Sequence, residues 1–254
     1  MKFSQAYQVK WHDTDANRQV RPSQILMYMQ ETANEQLRNI GLSLDALRDR
    51  KGLAFLLSNI AVRIYAPLYA LDQIEVQTWV CEGKGLSYNR CFQILRGNET
   101  VAVGSSVWGL LDIQQKRLLR VEEAPYDLEP EPFLQIQDLP RRLRVPRLDD
   151  LTCVGERKIV YSDIDYNGHM NNTHYPDMFC DFTPDIRSQR VSGFMLSFLH
   201  EATFDYTLKV YHAVDQNDHY FKTIDDDGRT CTEALLKTVS ISMEEEKNEK
   251  RFEN

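Results

Sequence analysis

The chain repeats itself imperfectly, and no other feature limits its fold as strongly, because two diverged copies must share one supersecondary unit. Gln8–Asn17 reads over Lys158–Asn167 at an offset of 150, with Asp13, Asp15 and Asn17 matched by Asp163, Asp165 and Asn167. Val62-x-Ile64 reads over Leu196-x-Phe198, and Ile74-x-Val76 over Leu208-x-Val210, both at an offset of 134. Thr100 over Thr230 is a weaker third match, at an offset of 130. The offset shrinks along the chain, as it does when the second copy has shorter connections. The common order of the matches carries the repeat; no single match does.

Each copy reads the same way: a short strand, an Asp-x-Asp-x-Asn loop, a helix, then several strands. Pro22 and Ser23 open a segment with apolar residues at Leu26, Met29, Ala33, Leu37 and Ile40, spacings that trace one helical face. Gly41 supplies a stop. Tyr175, Met178, Phe179 and Phe182 repeat the pattern until Pro184 interrupts it. Strand alternation appears in 74–80 and 100–108. Each half is thus one apolar helix laid against an antiparallel sheet, an α+β layer pair.

Five of the nine prolines fall between Pro125 and Pro146, which marks an extended connector. The expected units are 1–135, a Pro/Arg-rich linker at 136–150, a second unit at 151–243, and a solvated tail at 244–254, where eight of eleven residues are charged. A net charge of −8 argues against nonspecific nucleic-acid binding. No run approaches the roughly 18 apolar residues of a membrane helix, and no apolar signal core follows Met1, so a cytoplasmic location is expected. The five cysteines are scattered and free of CxxC spacing, which fits buried thiols in a reducing compartment rather than disulfides or zinc. His174 and His200 offer no metal-ligand spacing, so no metal and no cofactor are expected. Arg141, Arg142, Arg144 and Arg147 form the densest basic run and read as a solvated linker or a contact for an acidic partner.

The richest segment for chemistry is 163–175. If extended, it would point Asp165, Asn167 and His169 to one side, gathering a carboxylate, an amide and an imidazole. Gly168 would admit a close ligand or a positive φ, and Asn171 or Asn172 could cap the next helix, whose free amides could meet an oxyanion. A polar turn explains many such clusters equally well. The first copy decides the emphasis: Gln19 stands where His169 does, Arg18 where Gly168 does, and Pro67 where Glu201 does. His169 and Glu201 therefore distinguish the second copy, although an exposed strand glutamate is the plain reading of Glu201.

Asp165-x-Asn167-Gly168-His169-Met170-Asn171-Asn172-x-x-Tyr175 resembles the signature of the acyl-[acyl carrier protein] thioesterases of bacteria and plastids. Asp181-x-x-Pro184 and Phe198-x-x-Glu201 are similar to later blocks of that family, and the resemblance spans about residues 1–243. It implies a tandem, or double, hot-dog fold of two long helices, each wrapped by its own sheet. It also implies hydrolysis of fatty acyl thioesters of acyl carrier protein, with Asp165, Asn167, His169 and Glu201 catalytic. The first half would shape the acyl pocket, with Met29 and Leu56 expected in its wall and Asn171 and Asn172 at the substrate. Asp165 is left open between an orienting group and a nucleophile. Three positions depart from the family pattern: Ala202 where relatives carry a cysteine, Asp205-Tyr206 in place of Gly-Asp, and Phe179 in place of a tryptophan. Competing readings are an acyl-coenzyme A thioesterase, a hot-dog hydratase or dehydratase, whose Asn-Pro-x-His loop is not matched here, and a noncatalytic acyl-thioester binder. A homodimer stays open, since two fused units already mimic the usual pair.

Overall fold

A computed structural model describes residues 2–241, and the expected charged tail lies outside the described residues. The first half runs β1 (Phe3–Gln8), α1 (Pro22–Asn39), β2 (Leu53–Ile64), β3 (Gln73–Lys84), β4 (Ser87–Arg96), β5 (Glu99–Asp112) and the short β6 (Arg117–Leu119). The second runs β7 (Thr152–Lys158), α2 (Tyr175–Asp181), β8 (Gln189–Phe198), β9 (Thr207–Asp215), β10 (Asp218–Ile224) and β11 (Thr230–Ser240). The strands form one antiparallel sheet in the order β1-β3-β4-β5-β2-β8-β11-β10-β9-β7, with β6 added beside β5. Read outward from the β2–β8 seam, each side has the same order.

The register preserves the sequence offsets. Tyr7 faces Ile74 in the first half, and Arg157 faces Leu208 in the second, offsets of 150 and 134. Leu95 faces Thr100, and Ile224 faces Thr230, each just after a break in register. At the seam Ala61 faces Met195, its own counterpart, so a local two-fold relation passes between them. The two sheets are therefore continuous through backbone pairing, where the repeat pattern alone gave one sheet per half.

α1 buries Leu26, Met29, Ala33 and Leu37 against the sheet, as the spacing predicts. Ile40 instead caps the helix and is exposed, because Gly41 turns the chain at φ +79°. The approach of α1 to β5 is close: a Cβ at Gly104 would stand 3.0 Å from the Met29 sulfur. α2 is not the long helix the resemblance implies. It follows a 3₁₀ turn at Asn172–His174 and ends at Asp181 after seven residues. Thr183 Oγ1 donates to the Phe179 carbonyl, Pro184 has no N–H to continue the ladder, and Asp185 sits at φ +53°. Both helices nevertheless share one apolar core, which includes Met29, Phe92, Phe179, Phe194 and Phe221.

The proline-rich stretch runs as an extended strap across the outer sheet surface. Glu131 donates its amide to the Val80 carbonyl, and the Trp79 indole donates to the Pro132 carbonyl. Further on, Leu139, Arg141 and Arg142 line a groove of about 780 Å³ over Ala61 and Met195 at the seam. Cys81, Cys91 and Cys231 are buried, but Cys153 is exposed at the sheet edge.

Candidate active site

The loop of interest is built by local hydrogen bonds, and the two copies share its main ones; Gln19 N–H makes one more, to Asp15 Oδ1 at 3.1 Å. Asp165 N–H donates to the His169 carbonyl at 2.9 Å, and Asn167 N–H donates to Asp165 Oδ1 at 2.8 Å. In the first half Asp15 N–H donates to the Gln19 carbonyl and Asn17 N–H to Asp15 Oδ1, both at 2.8 Å. Gly168 takes φ +87° and Arg18 takes φ +59° at the turn. The aspartate two residues upstream anchors each turn: buried Asp13 accepts the Lys10 amide, and buried Asp163 accepts the Val160 amide. An aspartate that accepts its own i+2 amide is the usual way such a turn closes. Asp165 and Asn167 are thus turn formers first, in both halves.

Because the segment turns back on itself, it does not send Asp165, Asn167 and His169 to one side. Asp165 and Asn167 line a cavity, whereas His169 turns to Glu201. His169 Nε2 stands 2.9 Å from Glu201 Oε2, with the two side chains 31% and 57% exposed. His169 also bridges the backbone of Thr203, and Met170 N–H donates to the Ala202 carbonyl. Glu201 therefore lies beyond the end of β8, in the connection to β9, and is not a strand residue. In the first half Gln19 bridges Tyr69 and Val20 N–H donates to the Leu68 carbonyl, the same backbone joint. Gln19 and Pro67 leave that joint without an ionisable pair. With Nε2–H given to the carboxylate, His169 keeps Nδ1 as an acceptor.

The cavity measures about 380 Å³, at the small end of ligand pockets. Asp165, Tyr166, Asn167, Asn171 and Asn172 come from the second half; Gln30, Ala33, Leu37, Phe55, Tyr88, Arg90 and Trp108 come from the first. The site is composite: the loop of one half faces the helix and sheet of the other. Met29 is fully buried in the core behind this wall and does not line it. Leu56 is exposed; strand alternation turns Phe55 to the cavity in its place. Asn171 caps the next turn by accepting the Thr173 amide, and the His174 amide is bonded to the Asn171 carbonyl. Those two amides are thereby used and are not spare oxyanion donors.

Two contacts escape sequence reasoning. Arg48 Nη1 donates to Asn167 Oδ1 at 3.1 Å, and Tyr166 OH donates to Asp45 Oδ1 at 2.8 Å. The Arg48 guanidinium also lies 5.3 Å from the Tyr166 ring centre. Arginine only donates, so this contact fixes the amide: Oδ1 toward Arg48, Nδ2 free to donate elsewhere. The partners are more than a hundred positions apart, and no periodicity or spacing links them.

The two-fold relation produces a second cavity, of about 610 Å³, lined by Asp15, Asn17 and Gln19 on one side and by Asp177, Cys180 and Asp181 on the other. Asp177 is committed to structure: it accepts the Ser23 amide and hydroxyl at the start of α1, and burial still raises its pKa. Among the described residues, no group of three His, Cys, Asp or Glu side chains could hold a metal ion. No helix among them is long and apolar enough to cross a membrane.

Comparison with known proteins agrees on one family. The acyl-ACP thioesterase N-terminal domain matches residues 1–128, and the acyl-ACP thioesterase C-terminal domain matches residues 152–242. A chloroplastic palmitoyl-acyl carrier protein thioesterase of Cuphea hookeriana is 26% identical over 230 residues, covering 84% of this chain and 55% of that protein. The chain thus spans about half the length of the curated relatives it matches. An acyl-ACP thioesterase from Bacteroides thetaiotaomicron superposes with a TM-score of 0.83 at 18% identity, covering 94% of this chain and 98% of that one. A 12:0-ACP thioesterase from Umbellularia californica gives 0.78 at 16% identity, covering 94% and 98%. These structures share the double hot-dog fold.

Proposed function

We propose that this chain, which belongs to the acyl-ACP thioesterase family, hydrolyses the thioester between a fatty acyl chain and acyl carrier protein, releasing free acid and ending elongation. The observation that carries the reading is the His169–Glu201 pair. It is present at one of two otherwise equivalent loops, beside a cavity of partly apolar walls. The acyl chain occupies that cavity, and the thioester lies over the 165–169 turn. Asn167 Nδ2, left free by Arg48, donates to the thioester carbonyl and favours the oxyanion. Glu201 and His169 take a proton from water, which attacks the carbonyl carbon. As the carbon–sulfur bond breaks, the same pair returns the proton to the departing thiolate.

Asp165 serves as an orienting group. Its Oδ1 is bound to the Asn167 amide just as Asp15 is bound to Asn17, at a loop that lacks the histidine. Ala202, buried beside the pair, leaves no sulfur nucleophile there.

The test is turnover of a long-chain acyl carrier protein by wild type, His169→Ala and Glu201→Ala, scored for free thiol and free acid. Each variant loses roughly 100-fold or more. Near wild-type rates in both would remove the pair from the mechanism. An enoyl thioester product would instead mark a dehydratase. Acyl-coenzyme A esters assayed in parallel identify the carrier.

A further inference from the structure

The cavity that takes the acyl chain contains a cation. Arg90, on the inner face of β4, is 7% exposed and lines the cavity. Its Nη1 donates to Gln36 Oε1 at 2.6 Å and to Thr78 Oγ1 at 3.0 Å. Neither partner is charged, and among the described residues no carboxylate lies within ion-pair distance of it. The other acidic side chains of the cavity wall are Glu31, which is exposed, and Asp165, which closes its own turn. Burial lowers the Arg90 pKa to about 10, so the group is still cationic at neutral pH. A buried charge without a counter-charge costs stability and calls for compensation. A second donor shares the wall: Gln30 Nε2 is buried with no hydrogen-bond partner.

The other half shows that the fold does not need a charge at this position. Val80 faces Arg90 across β3 and β4, as Val214 faces His219 across β9 and β10. Thr78 and Phe92 correspond in the same way to His212 and Phe221. There His212 Nε2 and His219 Nδ1 bond each other at 3.1 Å, and His212 stacks on Phe221 at 4.6 Å. In that half the two histidines satisfy each other and pack; the first half leaves a cation without counter-charge and an unpartnered amide in the cavity wall.

We propose that Arg90 and Gln30 form an oxygen-binding subsite, so that the preferred substrate is an acyl chain bearing an oxygen function on the carbons that reach them. A plain saturated hydrocarbon leaves the Gln30 amide unpartnered and Arg90 without a counter-charge. A hydroxyl or oxo group satisfies them, and a carboxylate also supplies the missing negative charge. The subsite rests on the thioesterase reading above for the direction in which the chain enters.

The test compares plain, ω-hydroxy and ω-carboxy acyl carrier protein thioesters over a ladder of matched chain lengths, with wild type, Arg90→Met and Gln30→Met. Wild type favours an oxygenated chain over its plain counterpart at least about tenfold in kcat/KM at the length that reaches Arg90, the size of one charge-assisted hydrogen bond. In Arg90→Met the ratio falls toward one, and in Gln30→Met it falls by a smaller factor. A wild-type ratio of one or below at every length overturns the subsite, and so does a ratio that both variants leave unchanged. If Arg90→Met does not fold, Gln30→Met decides. The corresponding free acids, titrated calorimetrically, separate the two proposals. Tighter binding of oxygenated acids without turnover of any thioester upholds the subsite and removes the hydrolase reading. Equal binding of all the acids, together with equal turnover, removes the subsite alone.

Discussion

The two halves hold one turn in two copies, with the same main hydrogen bonds, and place different residues behind it. At Asp15–Gln19 the turn ends on an amide beside Pro67; at Asp165–His169 it ends on an imidazole 2.9 Å from Glu201. The backbone joint beneath, Val20 to Leu68 and Met170 to Ala202, is the same. The second loop is the first with an ionisable pair added at its end. The helices invert that relation. α1 is 18 residues long and walls the cavity that the second half's loop faces; α2 is seven residues long and meets the first half's loop. The half with the His169–Glu201 pair thus shares its cavity with the helix and sheet of the other half.

The sharpest way to break this comparison is to remove each loop's final side chain. His169→Ala loses roughly 100- to 10,000-fold in turnover, whereas Gln19→Ala stays within about twofold of wild type, both read by thiol release. A comparable loss at Gln19 would mean that the first loop also takes part. The next effect is on the wall. Met29→Ala opens a cavity behind α1 and destabilises by about 2–5 kcal/mol, measured by denaturant unfolding, because Gly104 lets the sheet approach that sulfur closely.

Arg48→Ala frees Asn167 to rotate. Turnover drops about tenfold while the melting temperature barely moves, since the contact is exposed and links one short helical turn to a loop. Loss of stability without loss of rate would make Arg48 a brace rather than a positioning residue. The two turns themselves give a smaller contrast: Gly168→Ala costs about 1 kcal/mol, and Arg18→Gly gains a few tenths to 1, because both sites hold positive φ and only one carries glycine. Chemical melts of the two variants should therefore shift in opposite directions.

The gentlest probe is pH. Burial, then the charge of His219, lowers the His212 pKa from 6.5 to about 4. The unfolded chain therefore takes up this proton more readily, so the contribution is complete above about 6.5 and is lost as pH falls toward 4. Thr78, its first-half counterpart, does not titrate. His212→Gln should flatten the decline in melting temperature across that window, and an unchanged slope would exclude the pair as its source.

Much of this was legible in the chain because it is local. Turn formers recur at Asp13, Asp15 and Asn17 and again at Asp163, Asp165 and Asn167; helix and strand periods mark α1, β3 and β5; and Gln19 and Pro67 at the positions of His169 and Glu201 set the two copies apart. Other expectations failed for identifiable reasons. Asp165, Asn167 and His169 alternate only if extended, and the Asp165 side chain closes a turn instead. Leu56 lost its place to Phe55 because a strand exposes one face at a time, and the sequence of β2 is apolar on both. α2 stops early because Thr183, Pro184 and Asp185 end it together.

The sequence by itself determined the duplicated unit, its turns and the side chains that distinguish one loop from the other, since each depends on neighbours a few residues apart. Only the tertiary structure decided what surrounds that loop: Arg48 on Asn167, Asp45 on Tyr166, α1 as the wall, and Arg90 without a counter-charge. These are meetings between halves, or between helix and sheet, at separations of fifty to more than a hundred residues. Pairing across the β2–β8 seam sets those between halves and the packing of α1 on its sheet sets the others, and one chain's pattern of apolar and polar residues holds no record of which distant surfaces are brought together.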